Sequence, residues 1–342
     1  MSDKRDFWEI ASAHKRFLKR KLCLAEASSD PCNSSIVQAH TIPRSQLTHI
    51  ARNGHVYSGP SIEEIMKSKE MPLLKETGIG KFSALSCFCA RHDNLIFVHV
   101  EDVPLVFNPR QLALLHYRTI AAELYKKLGS GEASLHNIKT FAETKKYDSD
   151  RMDSYKAYNE GTQIAIRDGK AALDDCAQVL REQSYDGLSA LVVRFRRPPS
   201  IMTVGGFYPE FDYNGKLLQT LGKAHLHYQT LSFNILKSEG CAALAMIWQK
   251  GHDRCLAFAT SYAEQRKDHY TTLAIQTAFE HIENTCVQPE WWESLRPREQ
   301  HVIVHRLIVA GGMSQERERD CLQYTGITHD DWQFDSLEFV NA

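Results

Sequence analysis

Residues 88 to 97 read Phe88-Cys89-Ala90-Arg91-His92-Asp93-Asn94-Leu95-Ile96-Phe97. A cysteine and a histidine stand three apart here. On a turn entering a helix, both can face one metal ion. A structural zinc needs four donors, so two more must come from elsewhere in the chain. Cys32 is the first candidate and Cys23 the second, their interval suiting a loop that returns to the same ion. Cys87 rivals Cys23, because alternate residues of a strand share a face and Cys87 would then lie beside Cys89. The expected centre is a Cys3His zinc built from Cys23, Cys32, Cys89 and His92, with Cys87 as the alternative to Cys23.

Upstream lies a second marker. The strand-like run Ile36-Val37-Gln38-Ala39 leads into His40, followed by Thr41-Ile42-Pro43-Arg44-Ser45. A lone histidine after such a strand is ordinarily a hydrogen-bonded core residue. Here the order along the chain is a cysteine, then Ala39-His40, then Cys89-x-x-His92-Asp93.

These two segments together resemble the HNH endonucleases, the His-metal finger family. They are most similar to the subgroup with Ala-His-Ile-x-Pro in its first half and Leu-Cys-x-x-His-His in its second. The resemblance implies a ββα-metal finger stabilised by zinc. It places His40 on the general base, which would activate water against a phosphodiester. It places Cys89 and His92 on the zinc-knuckle pair. Asp93 falls on the ligand of a catalytic Mg²⁺ or Mn²⁺, ions that favour oxygen donors. DNA is the implied substrate, with RNA ranked below it. In bacterial proteins with an additional C-terminal domain, the resemblance implies defence against foreign DNA, with other defence proteins as partners.

Two departures bear on activity. The residue before the base, often a second metal ligand, is Ala39. The asparagine that positions the base would fall near Phe82-Ser83-Ala84, where none stands; Ser83 or Ser86 is the expected substitute. A zinc-stabilised binding scaffold with a degenerate finger is therefore the alternative function.

Around this core, residues 6 to 22 have apolar positions at helical spacing. Their other face carries Lys15, Arg16, Lys19, Arg20 and Lys21. With Arg44 these form the expected nucleic-acid contact, since basic side chains neutralise phosphates. Net charge is only −1, so such a partner needs a local basic face. Ser61 followed by Glu64 forms a capping box before a short helix to about residue 70. Leu95 to Val100 could be strand or helix. Asn108-Pro109 starts a helix over 108–128, which Gly129 is expected to stop. Residues 129–150 read as a connection and 151–184 as a second long helix.

Beyond residue 185 β-formers dominate. Strands are expected at 188–196, 201–213, 226–236, 241–249 and 255–260, and helices at 262–284 and 296–311. Pro289-Glu290-Trp291-Trp292 starts a helix whose indoles pack in a core. His225 and His227 are expected on one face of an exposed strand. The predicted fold class is α+β. An N-terminal ββα-metal zinc finger (1–107) is followed by a helical connector (108–184). A C-terminal α+β domain with a mostly antiparallel sheet (185–342) then has a regulatory or recognition role.

No apolar run is long enough to span a bilayer, and the N-terminus has no apolar signal core, which predicts a cytoplasmic protein without membrane partners. In that compartment nine cysteines, an odd number, read as thiols or metal ligands rather than disulfides.

Overall fold

A computed structural model describes residues 12–13, 15–32, 35–61, 64–65, 73–144, 149–311 and 317–342. Its dominant element is an eight-stranded sheet. The strands are β2 (His55–Ser58), β3 (Lys75–Gly78), β5 (Leu188–Phe195), β6 (Ile201–Phe207), β7 (Leu231–Ser238), β8 (Cys241–Gln249), β9 (Thr285–Val287) and β10 (Phe334–Val340). Their order across the sheet is β10-β5-β8-β7-β6-β9-β2-β3. Each pairing is antiparallel. The chain is thus α+β with mostly antiparallel pairing.

Strand β8 shows why this sheet is buried on both faces. Ala243, Ala245 and Ile247 belong to one core cluster, and Leu244, Met246 and Trp248 to the other. Two buried faces require near-continuous apolar runs instead of polar alternation. The small side chains admit two long helices, α3 (Pro109–Thr144) and α4 (Ser149–Glu182). The large ones meet α5 (Asp253–Ala263), α6 (Tyr270–His281), α7 (Pro289–Ser294) and α8 (Pro297–Gly311).

A smaller unit lies on the other side of α3. Strand β1 (Ile36–His40) pairs antiparallel with β4 (Ala84–Cys89), and α2 (Ala90–Glu101) continues directly from β4. A short helix, α1 (Arg44–Leu47), lies between β1 and β2. Phe88, Phe97 and Tyr117 meet ring to ring, with the first pair at 5.0 Å and the last at 6.2 Å. These residues join the same core as the α3–α4 side of the large sheet. Strand β2 also pairs with β9, Tyr57 opposite Val287 and Ser58 opposite Cys286. The large sheet therefore runs across the division expected at residue 107.

Several local expectations are corrected. Residues 255–260 are helical because Cys255, Phe258, Ala259 and Tyr262 repeat at helical spacing and are all buried. Gly129 does not end α3. A Cβ there would stand 3.0 Å from Leu18 Cδ2, and one at Gly131 would stand 2.8 Å from Ile166 Cδ1. Both glycines serve close packing inside the helix. Residues 95–100 are helix. His225 lies in a turn and His227 in irregular chain, neither on a strand. Of the helix expected over 6–22, residues 6–11 and 14 lie outside the described residues, and 12–13 and 15–17 are helical. The chain has left the helix by residue 18. Ser61 and Glu64 do form a reciprocal box, with Ser61 N donating at 2.7 Å and Glu64 N at 3.4 Å. The helix expected to run on from there lies largely outside the described residues.

Trp248 is 1% exposed and anchors the second core. Truncation to alanine should cost about 3–5 kcal/mol. A chemical denaturation curve with an unshifted midpoint would show that this side of the sheet is not a load on stability.

Candidate metal centre and its neighbours

Strand β4 organises the site through both of its edges. On one edge it pairs with β1, so that Ile36 faces Cys89 and His40 faces Ala84. On the other, Leu22 N donates to Ser86 O at 3.1 Å and Leu24 N to Cys87 O at 2.9 Å. That second pairing carries Cys23 to the end of the strand. Cys89 ends β4, and His92 lies in the first turn of α2.

Cys23, Cys32, Cys89 and His92 converge there. Their sulfur and nitrogen donor atoms lie within 4.8 Å of one another. A tetrahedral zinc with bonds of about 2.3 Å to sulfur holds its sulfurs about 3.8 Å apart, so a small contraction of the set would close it. The donor chemistry fits zinc: three thiols and one imidazole. Cys23 Sγ lies 3.3 Å from His92 Nδ1 and accepts from the Cys89 amide at 3.3 Å. His92 Nε2 lies 3.2 Å from the Asp30 carbonyl. A carbonyl only accepts, so Nε2 carries the proton and Nδ1 presents its lone pair to the sulfurs. Such an outer hydrogen bond fixes the tautomer and ring orientation of a ligating histidine. Cys87 lies outside the group of four; it is buried, with Asp93 and Arg118 among its charged neighbours.

Burial pushes the Cys23 thiol up to about 12, the Cys89 amide opposes this, and the thiols of Cys32 and Cys89 add to the rise. Without a cation the Cys23 thiol keeps its proton. Zinc binds sulfur as thiolate, so binding releases protons and affinity must fall as pH is lowered.

The segment carrying Cys23 is fastened to α3. Tyr117 Oη donates to Leu24 O at 2.7 Å and accepts from Ala27 N at 3.1 Å. Tyr125 Oη lies 2.8 Å from Leu18 O and 2.6 Å from Arg20 O.

His40 and Asp93 form a second locus beside the first. His40 ends β1, and its Nε2 lies 3.0 Å from Ile79 O. Nε2 is again the donor, so Nδ1 is the ring nitrogen not committed to this bond. The Ile79 carbonyl therefore orients the ring. Ser83, the expected substitute, uses its Oγ to accept from Ile42 N at 2.9 Å. A backbone carbonyl has no residue-type signature, so no motif could have revealed this partner. Asp93 is partly buried, and its Oδ1 is buried with no hydrogen-bond partner. Burial raises the Asp93 carboxyl; Arg118 opposes this, Glu101 adds to it, and His40 opposes it. His40 thus lies within electrostatic reach of Asp93. Arg118, from α3, is itself buried and donates to Glu101 at 2.5 Å.

Lys15, Arg16, Lys19, Lys21 and Arg44 are exposed. Arg20 turns inward and pairs with Glu132 of α3 at 2.8 Å, so it is not free to meet a phosphate. His227 Nδ1 instead lies 3.1 Å from the buried Asp168.

Compared with family models, with curated proteins and with solved structures, the chain matches none. Among the described residues no helix is long and apolar enough to cross a membrane.

Two outcomes are expected at this centre. Zinc affinity, read by competition with a chromogenic chelator, should weaken from pH 8 to pH 6; Cys23→Ser should lower it at both, whereas Cys87→Ser should leave it near wild type. Complete metal removal should lower the thermal midpoint, because the ion contributes folding free energy directly. An unchanged melt after verified removal would exclude a structural zinc.

Proposed function

We propose that the chain is a metal-dependent endonuclease of the HNH type, a ββα-metal finger that hydrolyses DNA phosphodiester bonds. The supporting observation is that His40 lies within electrostatic reach of Asp93. One lies at the end of β1 with its Nε2 engaged by Ile79 O, the other at the start of α2 with an orphaned carboxylate oxygen. The β1–β4–α2 arrangement brings them beside the Cys3His group without sharing a ligand with it.

In this reading the chain's own groups divide the work. Ile79 holds the His40 ring by accepting its Nε2 proton. Nδ1 then takes a proton from an attacking water. Asp93 supplies a hard oxygen donor for Mg²⁺ or Mn²⁺. Such an ion, when bound, offsets the charge that develops on the phosphodiester oxygens. The four zinc donors hold the end of β4 and the first turn of α2, and so fix where Asp93 stands. Exposed Lys15, Arg16, Lys19, Lys21 and Arg44 supply phosphate contacts. The resemblance of the finger's sequence to bacterial nucleases supports a role in defence against foreign DNA. Residues 185–342 then restrain the finger or recognise a trigger.

A second reading rests on Ala39 and Ser83. Ala39 is buried and offers no donor, and Ser83 is committed to Ile42. On that basis the finger is a zinc-stabilised binding scaffold without catalysis.

Nicking of supercoiled plasmid with Mg²⁺ or Mn²⁺ separates the two. His40→Ala should lower the rate by roughly 10²–10⁴-fold while leaving zinc content intact. Equal cleavage by both proteins removes His40 from the mechanism. Retained cellular function in His40→Ala favours the scaffold.

A further inference from the structure

Of the nine cysteines, Cys32 alone is exposed; Cys23, Cys241 and Cys321 are partly buried and the other five are buried. Cys32 therefore combines two properties that no other cysteine shares. It belongs to the Cys3His group, and solvent reaches it. Its neighbour in the group is placed to respond: Cys23 hydrogen-bonds the thiols of both Cys32 and Cys89. Cys89 is the less available partner, since it is fully buried at 0% exposure and paired in β4 opposite Ile36. Cys32 lies outside helix and strand, so its backbone is not held in a ladder.

We propose that Cys32 is an oxidative modification site at which a hydroperoxide converts Cys32 and Cys23 into a disulfide and expels the metal. The inference rests on the reading of the group as a zinc centre. Metal ligation holds sulfur as thiolate, which is the nucleophilic form. The Cys32 sulfur attacks the peroxide O–O bond, forming a sulfenic acid and releasing an alcohol, or water from hydrogen peroxide. Cys23 sulfur then attacks the sulfenic sulfur, forming the S–S bond and releasing water. For hydrogen peroxide, two thiolates, one peroxide and two protons give one disulfide and two waters. The sulfurs lose two electrons, and the peroxide gains them. Only Cys89 and His92 then remain as donors, too few for the tetrahedral ion. A dithiol reductant with added zinc reverses the change.

The test uses the full-length protein with its zinc content first measured by elemental analysis. Hydrogen peroxide is added near stoichiometry, and zinc release is followed with a chromogenic chelator. The expected result is loss of two thiols per zinc released. Peptide mapping without reduction should show a Cys23–Cys32 link, and reductant with zinc should restore both signals. Cys87→Ser, outside the group, should behave as wild type. Zinc present at the start but retained while thiols are lost elsewhere would overturn the switch and leave the centre standing. A Cys23–Cys89 link would equally overturn the assignment of Cys32. Protein that carries no zinc and takes none up would remove the centre and the switch together.

Discussion

The chemistry of this chain depends on backbone hydrogen bonding along both edges of β4. A strand with one satisfied edge would hold either His40 or Cys23, but not both. Pairing with β1 fixes His40 opposite Ala84, and pairing with residues 22–24 brings Cys23 to the strand's end. The passage from β4 into α2 then sets Cys89 and His92 on one side and Asp93 on another. A slip of one residue in either register would turn the side chains to the opposite face and disperse the donors.

This small unit does not stand alone, because α3 grips it from behind. Adjacent residues of that helix reach different partners, being about 100° apart around its axis. His116 Nδ1 lies 2.6 Å from Ser232 Oγ on β7, while Tyr117 reaches Leu24 and Ala27 beside Cys23. Burial lowers His116 to about 3, with His252 adding to the effect, so this contact is made by a neutral ring. Buried networks of this kind are costly if half satisfied and rigid when complete. The small unit, the long helices and the large sheet therefore share one continuous core, and β2 extends the sheet beyond β9.

What was legible and what was hidden divide along a physical line. Cysteine and histidine are rare, chemically distinctive residue types, so Cys32, Cys89 and His92 could be singled out from the sequence, with Cys23 and Cys87 as rivals for the remaining place. Helices with long apolar stripes were likewise visible, as in the start of α3 at Asn108-Pro109. The signals failed where packing overrode them. Gly129 and Gly131 read as breakers, yet neighbouring side chains occupy the space a Cβ would need. Strand β9, with three residues, and β3, with the polar run Lys75-Glu76-Thr77-Gly78, carry too little periodicity to announce themselves. The partner of His40 is a main-chain oxygen, and Arg20 was drawn from the basic face by Glu132 more than a hundred positions away.

By itself the amino-acid sequence determined the donor types at the metal group, the α+β class and the long central helices. These follow from residue chemistry and from periodicities of two and 3.6. Tertiary structure decided Cys23 over Cys87, the carbonyl that orients His40, and the joining of β2 to a sheet made by the far end of the chain. Each of those is a long-range contact, set by the register of paired strands and by which side chains fill the space between layers. No local stretch of residues encodes that information.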